Sequence, residues 1–220
     1  MTLIEQAEQA ALTDWCAWHE GYADPTSGMS ARLAAVQGVI GRWLDRTASR
    51  PVRVLSACAG DGRDLLGVLE EREDAARVKA TLLEADPALA RSAAATARAT
   101  GLKRVRVRCA DAGTTKAYAG AVPADLVLLC GIFGNVSDVD VHRTIRALPQ
   151  LCAPGATVVW TRHRRDPDAT PAIRRWFAEH DCEEQDFISP GEDSWAVGVH
   201  RFRGRPLPLE RDHRLFTFLR

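Results

Sequence analysis

The chain has 220 residues with 46% hydrophobic and 26% charged residues, which is the composition of a globular domain with a full core. Its formal net charge is +0, and the halves are balanced, with 15 basic and 14 acidic residues up to position 110 and the reverse after it. Such a balance excludes a global basic field directed at nucleic acid or at an anionic membrane.

Residues 4–20 and 28–47 read as two helices, the second with Leu33, Val36, Ile40 and Leu44 on one face. Between them "HEGYADPTSGMS" is a loop by its Gly, Pro and Ser content. After Pro51, strands are expected at 52–57, 79–84, 104–109, 124–130 and 156–161, with helices at 62–76, 87–99, 138–148 and 170–180. Strands alternating with helices imply βαβ units and a parallel sheet covered on both faces. "CEEQDFIS" and "WAVGVHRF" are then separated only by "PGED", too short for a parallel crossover, so they form an antiparallel hairpin. The reading is a single domain over 1–220, with a helical lid (1–50), a core (51–202) and a tail (203–220).

Six cysteines at 16, 58, 109, 130, 152 and 182 form no CxxC pair, which argues against a zinc knuckle or redox dithiol. No metal is expected. A reducing cytoplasm is the simplest location. The start "MTLIEQAEQA" lacks an apolar signal region, and no apolar run is long enough to span a bilayer.

"VRVLSACAGDGRDLL" is a strand, a turn with Gly60 and Gly62, and a helix start. That layout points backbone N–H groups at a ligand beside a helix N-terminus. Glu84 ends the next strand 22 residues after Gly62, where a carboxylate can accept from two ribose hydroxyls. The third glycine of a dinucleotide fingerprint is replaced by Leu65, and no GK[ST] follows.

From about residue 50 to 202 the sequence resembles the class I S-adenosylmethionine-dependent methyltransferases, which implies a Rossmann-like, mostly parallel seven-stranded sheet with an antiparallel C-terminal strand. The resemblance rests on "VRVLSACAGDGRDLL", "LLEADPA", "VRCADAG", "PADLVLLCGIFGNVSD", "LPQLCAPGATVVW" and the terminal hairpin, in the family's order. It implies a cofactor site of Ala57, Cys58, Ala59, Gly60, Gly62, Asp64, Glu84, Ala85, Asp111, Ala112, Cys130 and Gly131, with S-adenosylhomocysteine as product. Asp111 would reach the adenine amino group, and Pro154-Gly155 would form a turn. The family's usual acid is Ser56 here, and a usual glycine is Cys58, which is expected at negative φ because it carries a Cβ. Asp61 or Asp64 could supply the missing carboxylate, and Arg32 could meet the cofactor carboxylate.

Around the methyl group, Asn135 is either a substrate contact or a helix cap, a role open also to Ser137 or Asp138. His163 is a candidate general base or a surface histidine. Arg162 and Arg164, with Arg165, Arg174 and Arg175, are candidate anion contacts or a solvated patch. Trp15, Trp18, His19 and Tyr22 are dense for this composition; Tyr22 is a candidate catalytic residue, against ordinary packing. The expected function is methyl transfer to a small molecule. The alternatives are an RNA methyltransferase using the arginine clusters, and an S-adenosylmethionine-binding protein that transfers nothing. Oligomeric state cannot be read.

Overall fold

A computed structural model describes residues 24, 26–47, 50–192 and 194–219. The expected first helix, with Trp15 and Trp18, and the loop residues His19 and Tyr22 lie outside the described residues. Seven strands form one sheet: β1 (Val52–Ala57), β2 (Val78–Glu84), β3 (Val105–Cys109), β4 (Ala124–Leu129), β5 (Cys152–His163), β6 (Cys182–Ile188) and β7 (Trp195–Phe202). The order is β3-β2-β1-β4-β5-β7-β6. The first five are parallel, and β7 runs antiparallel to both β5 and β6.

Side chains alternate between the two faces because the strand repeat is two. In β1, Val52 and Val54 join a core under α1 (Gly28–Arg46), α2 (Arg63–Leu69) and α3 (Pro87–Ala99). Leu55 and Ala57 join the opposite core, with α4 (Asp138–Arg146), α5 (Leu148–Leu151) and α6 (Thr170–Glu179). The two-face burial that parallel strands require accounts for their nearly unbroken apolar runs. In the second core Trp160 stacks on Phe177, with ring centroids 5.9 Å apart. Gly198 is what admits that indole, since a Cβ there would lie 2.2 Å from Trp160 Cε2.

The α-helix expected over 62–76 stops at Leu69, and a 3-10 turn follows at Ala75–Arg77. Asp74 is clamped there by Arg72 and Arg77, both at 2.8 Å, so the acidic run folds back instead of continuing the helix. The helix expected over 138–148 ends at Arg146, and Pro149 sits in the first turn of the short α5. Pro154-Gly155 is not a turn ahead of β5 but an outward loop within it. Five residue steps of β5, Cys152 to Thr157, oppose two of β4, Ala124 to Leu126, and Gly155 has φ 71°. No described helix is long and apolar enough to cross a membrane.

Beyond β7 the tail is a strap across the carboxyl ends of β3 and β4. Leu215 N–H donates to Gly113 O at 2.7 Å, Thr115 N–H to His213 O at 2.9 Å, and Leu219 N–H to Asn135 O at 2.9 Å. Leu215 and Phe216 are buried beneath it. A Cβ on Gly113 would lie 2.4 Å from Phe216 O, so glycine permits this crossing.

Candidate active site

A cleft opens where the carboxyl ends of β1, β2 and β4 face the first turns of α1 and α2. Its walls bring together Cys58, Ala59, Gly60, Asp64, Glu84, Ala85, Cys130 and Gly131, and also Arg32 and Asp61. Leu33, Val36, Arg63, Asp86, Leu89, Thr161 and Phe218 complete it and were not foreseen. Such a position, outside the carboxyl ends of the strands at the point where strand order reverses, is where open α/β sheets bind ligands.

Glu84 organises the cleft. Gly60 N–H donates to its Oε2 at 2.7 Å and Asp86 N–H to its Oε1 at 2.8 Å. Each carboxylate oxygen keeps an acceptor site for a ligand. The same bonds pin the glycine turn to the tip of β2. Gly60 and Gly62 have φ 58° and 79°, and a Cβ on Gly62 would lie 2.8 Å from Leu82 Cδ2. Gly62 is not among the cleft walls; its role is to let α2 start against β2. Ala57 is likewise buried behind the cleft.

Cys58 corrects an expectation. It sits at φ 53°, in the left-handed region, despite its Cβ. The turn between β1 and Gly60 holds Cys58 in that conformation, where a side chain raises the cost by roughly 1–2 kcal/mol. Strain of this order is held where the surroundings fix the backbone; Ala59 N–H donates to Leu83 O at 2.9 Å immediately after it.

Asp64, in the first turn of α2, is pushed up to about 6 by burial, against the bond its Oδ1 accepts from Leu65 N–H at 2.7 Å; Asp61 nearby pushes the same way and Arg63 opposes. Ser56, at the family's acidic position, is buried in the sheet. The carboxyl groups available to the cleft's α2 side are therefore Asp61 and Asp64, and Asp61 forms a side-chain ion pair with Arg63. Arg32 faces the same region from α1, its charge acting on both Cys130 and His163.

Asp111 and Ala112 follow β3. Neither is among the cleft walls. Asp111 Oδ2 accepts from Arg214 of the strap at 2.6 Å and its Oδ1 from Gly113 N–H at 2.7 Å. Ala112 is buried, its carbonyl accepting from Tyr118 OH at 2.6 Å.

The loop after β4 is held from three sides. Gly131 N–H donates to Thr161 Oγ1 at 2.9 Å, Asn135 Nδ2 donates to Gly131 O at 2.8 Å, and Arg162 Nη1 donates to Phe133 O. Ser137, not Asn135, caps α4, accepting from Asp140 N–H at 3.1 Å. Arg162 also pairs with Asp138 at 3.3 Å, and Arg164 with Asp168 at 3.0 Å. Both arginines thus fasten loops. His163 ends β5 against Gly134, where a Cβ would lie 3.2 Å from its ring. Burial, then the charges of Arg162 and Arg165, hold its pKa below the ordinary value, so it is neutral at pH 7.

Fold and cleft together define a Rossmann-like methyltransferase. A family model described as "Putative methyltransferase" matches residues 26–182, and the chain belongs to that family. No curated protein matches the sequence. Among solved structures it is similar to the "Putative methyltransferase yhhF from Escherichia coli" (18% identity, TM-score 0.55), over 78% of this chain and 87% of that one. It is similar also to an O-methyltransferase family 2 protein from Planctomyces limnophilus, in complex with apigenin (16%, TM-score 0.54, 70% of this chain). This chain spans about half of that protein, 52%. A third is fibrillarin from Aeropyrum pernix with natively bound S-adenosyl-L-methionine (14%, TM-score 0.55, covering 69% and 66%). These likenesses carry the fold.

Proposed function

We propose that the chain binds S-adenosylmethionine in this cleft and transfers its methyl group to a small-molecule acceptor. The observation that carries the reading is the convergence of Glu84, Asp64 and Arg32 on one cleft behind a glycine turn. Glu84 offers its remaining acceptor sites to the ribose hydroxyls. Ala85 and Leu89 provide an apolar wall beside it for the base. Asp64, a carboxyl group that burial leaves short of a cation, suits the methionine ammonium, and Arg32 suits the methionine carboxylate.

The cofactor, when bound, supplies an electrophilic methyl on a sulfonium. The chain's own work is to place the acceptor in line, exclude water and take up a proton. His163 is the residue proposed for the proton: it is not itself a cleft wall, but it packs against Gly134 in the loop whose Cys130 and Gly131 line the cleft, and burial holds its pKa below the ordinary value, which favours the neutral imidazole. Phe218 and Leu33 add apolar walls to the cleft.

A small acceptor is favoured over RNA by the fate of the arginine clusters that suggested RNA. Arg162, Arg164, Arg174 and Arg175 pair with Asp138, Asp168, Glu184 and Glu179. In the tail, Arg203 and Arg214 pair with Glu183 and Asp111. These six charges are compensated locally, whereas Arg165, Arg201, Arg205 and Arg211 form no ion pair among the described residues. The test is release of S-adenosylhomocysteine across a panel of hydroxyl, amine and thiol acceptors. Turnover with a small acceptor, reduced in His163→Ala, is expected. Cofactor binding with no product from any acceptor would identify a non-transferring binding protein, and turnover with RNA alone would reverse the choice of acceptor.

A further inference from the structure

The charge balance of the whole chain hides a strong local imbalance. Between residues 87 and 123 there are seven basic residues, Arg91, Arg98, Lys103, Arg104, Arg106, Arg108 and Lys116, and a single acid, Asp111. That acid is already taken by Arg214. Among the described residues, none of the seven lies within ion-pair distance of a carboxylate. Arg104 and Arg108 touch only carbonyls, of Ala76, Ala117 and Ala119, which leave their charge uncompensated.

These residues belong to α3, the loop after it, β3 and the 3-10 turn at Thr115–Tyr118, and β3 is an edge of the sheet. In the parallel ladder alternate residues turn both backbone groups to the neighbour. Arg104 O accepts from Ala80 N–H and Ala110 N–H donates to Glu84 O, so that register faces β2. Val107 and Cys109, in the other register, turn theirs outward, and no described strand pairs with them. Side chains flank this edge on both faces. Val105 and Val107 pack toward α3, where Arg98 and Lys103 stand exposed; Arg106 and Arg108 lie on the opposite face, with Lys116. A cleft lined by Arg98, Lys103, Arg106 and Arg108 runs along it.

We propose that this edge binds an acidic, extended segment of a partner polypeptide, which adds to the sheet beside β3. An open strand edge offers main-chain hydrogen bonds, and such bonds suit a polypeptide strand, not a sugar-phosphate backbone. A docked strand projects alternate side chains to both faces, and here both faces carry cations. Cations on an edge repel a second copy of the same edge, which blocks self-association. The same cations attract a strand bearing carboxylates. The groove along the edge shares no wall residue with the proposed cofactor cleft, and the inference does not rest on the reading of that cleft.

The experiment uses the full chain and a fluorescent synthetic peptide alternating glutamate and valine, with a lysine–valine peptide and a single-stranded RNA of similar length as comparators. Fluorescence anisotropy should show saturable binding of the acidic peptide alone. Arg98→Glu with Arg106→Glu should weaken it about tenfold or more. Hydrogen exchange of the Val107 and Cys109 amides should slow when the acidic peptide binds wild-type protein. Val107→Pro, which removes an outward donor, should weaken binding without lowering the melting temperature by more than a few degrees. The proposal is overturned by absence of peptide binding, by RNA binding in its place, or by peptide binding that leaves both amides unprotected.

Discussion

Replacing Asp64 by asparagine separates its electrostatic contribution to the cleft from its packing. Its carboxyl group has a pKa of about 6, set first by burial. Pairing with an ammonium favours the ionised form, so below that value a proton must leave before the pair can form. One unit below, at pH 5, roughly nine molecules in ten carry the proton, and cofactor affinity should fall about tenfold, ~1.4 kcal/mol, relative to pH 7.5. Asp64→Asn should bind more weakly than wild type at pH 7.5 and show a flatter profile, with the cofactor's own ionisation common to both. Calorimetry in two buffers of different ionisation enthalpy should show wild type releasing a fraction of a proton near pH 6. Stability should move the opposite way. A carboxyl group whose pKa is raised in the folded state contributes stability below its unfolded value, near 3.8, and that contribution is lost as pH rises through 6. Asp64→Asn should therefore melt higher than wild type at pH 7.5, by the equivalent of up to about 2–3 kcal/mol. A variant that binds like wild type at every pH, with no difference in proton release, would refute the assignment of Asp64.

Gly62→Ala should destabilise by about 2 kcal/mol or more in urea titration, because φ 79° and the 2.8 Å approach to Leu82 act together. Gly113→Ala should cost a similar amount by displacing the strap, whereas Arg214→Ala should change stability by less than about 1 kcal/mol, since that ion pair is half exposed. His200 is fully buried and burial holds its pKa near 4. A base whose folded pKa is depressed loses stability as pH falls from the unfolded value of 6.5 toward 4, by up to about 3 kcal/mol, and His200→Phe should remove that acid sensitivity of the melting temperature. Phe218→Ala should weaken cofactor binding about fivefold, ~1 kcal/mol, by exposing one apolar wall of the cleft.

The parts of the site that sequence reveals are those made by neighbours in the chain. Gly60 and Glu84 were legible because a strand, a turn and a second strand tip follow each other within 33 residues, and the sheet pairs those two strands directly. The Asp111–Arg214 pair was not legible because Arg214 lies 103 residues away on a strap whose "RDHRLFTFLR" has no strand-like alternation. Phe218 and Thr161 reach the cleft through the same long-range placement. Cys58 shows a different limit. Residue preference predicts a negative φ, but the loop between β1 and Gly60 imposes its conformation on the residue. Sequence left open whether the arginines bind an anion or are paired, because Arg174, Arg203 and Arg214 find their acids only after β6, β7 and the strap have been placed. A local signal for the strap does exist in the apolar residues Leu215, Phe216 and Phe218 after a polar stretch.

The central claim is that Glu84 holds a nucleoside cofactor at the tip of β2. Calorimetric titration of S-adenosylmethionine into wild type and Glu84→Gln tests it most directly, since glutamine keeps one acceptor oxygen for the loop while removing the charge. Saturable one-to-one binding to wild type is expected, weakened at least tenfold in a Glu84→Gln protein whose circular dichroism is unchanged. No binding to wild type, or equal binding to both, would contradict the account.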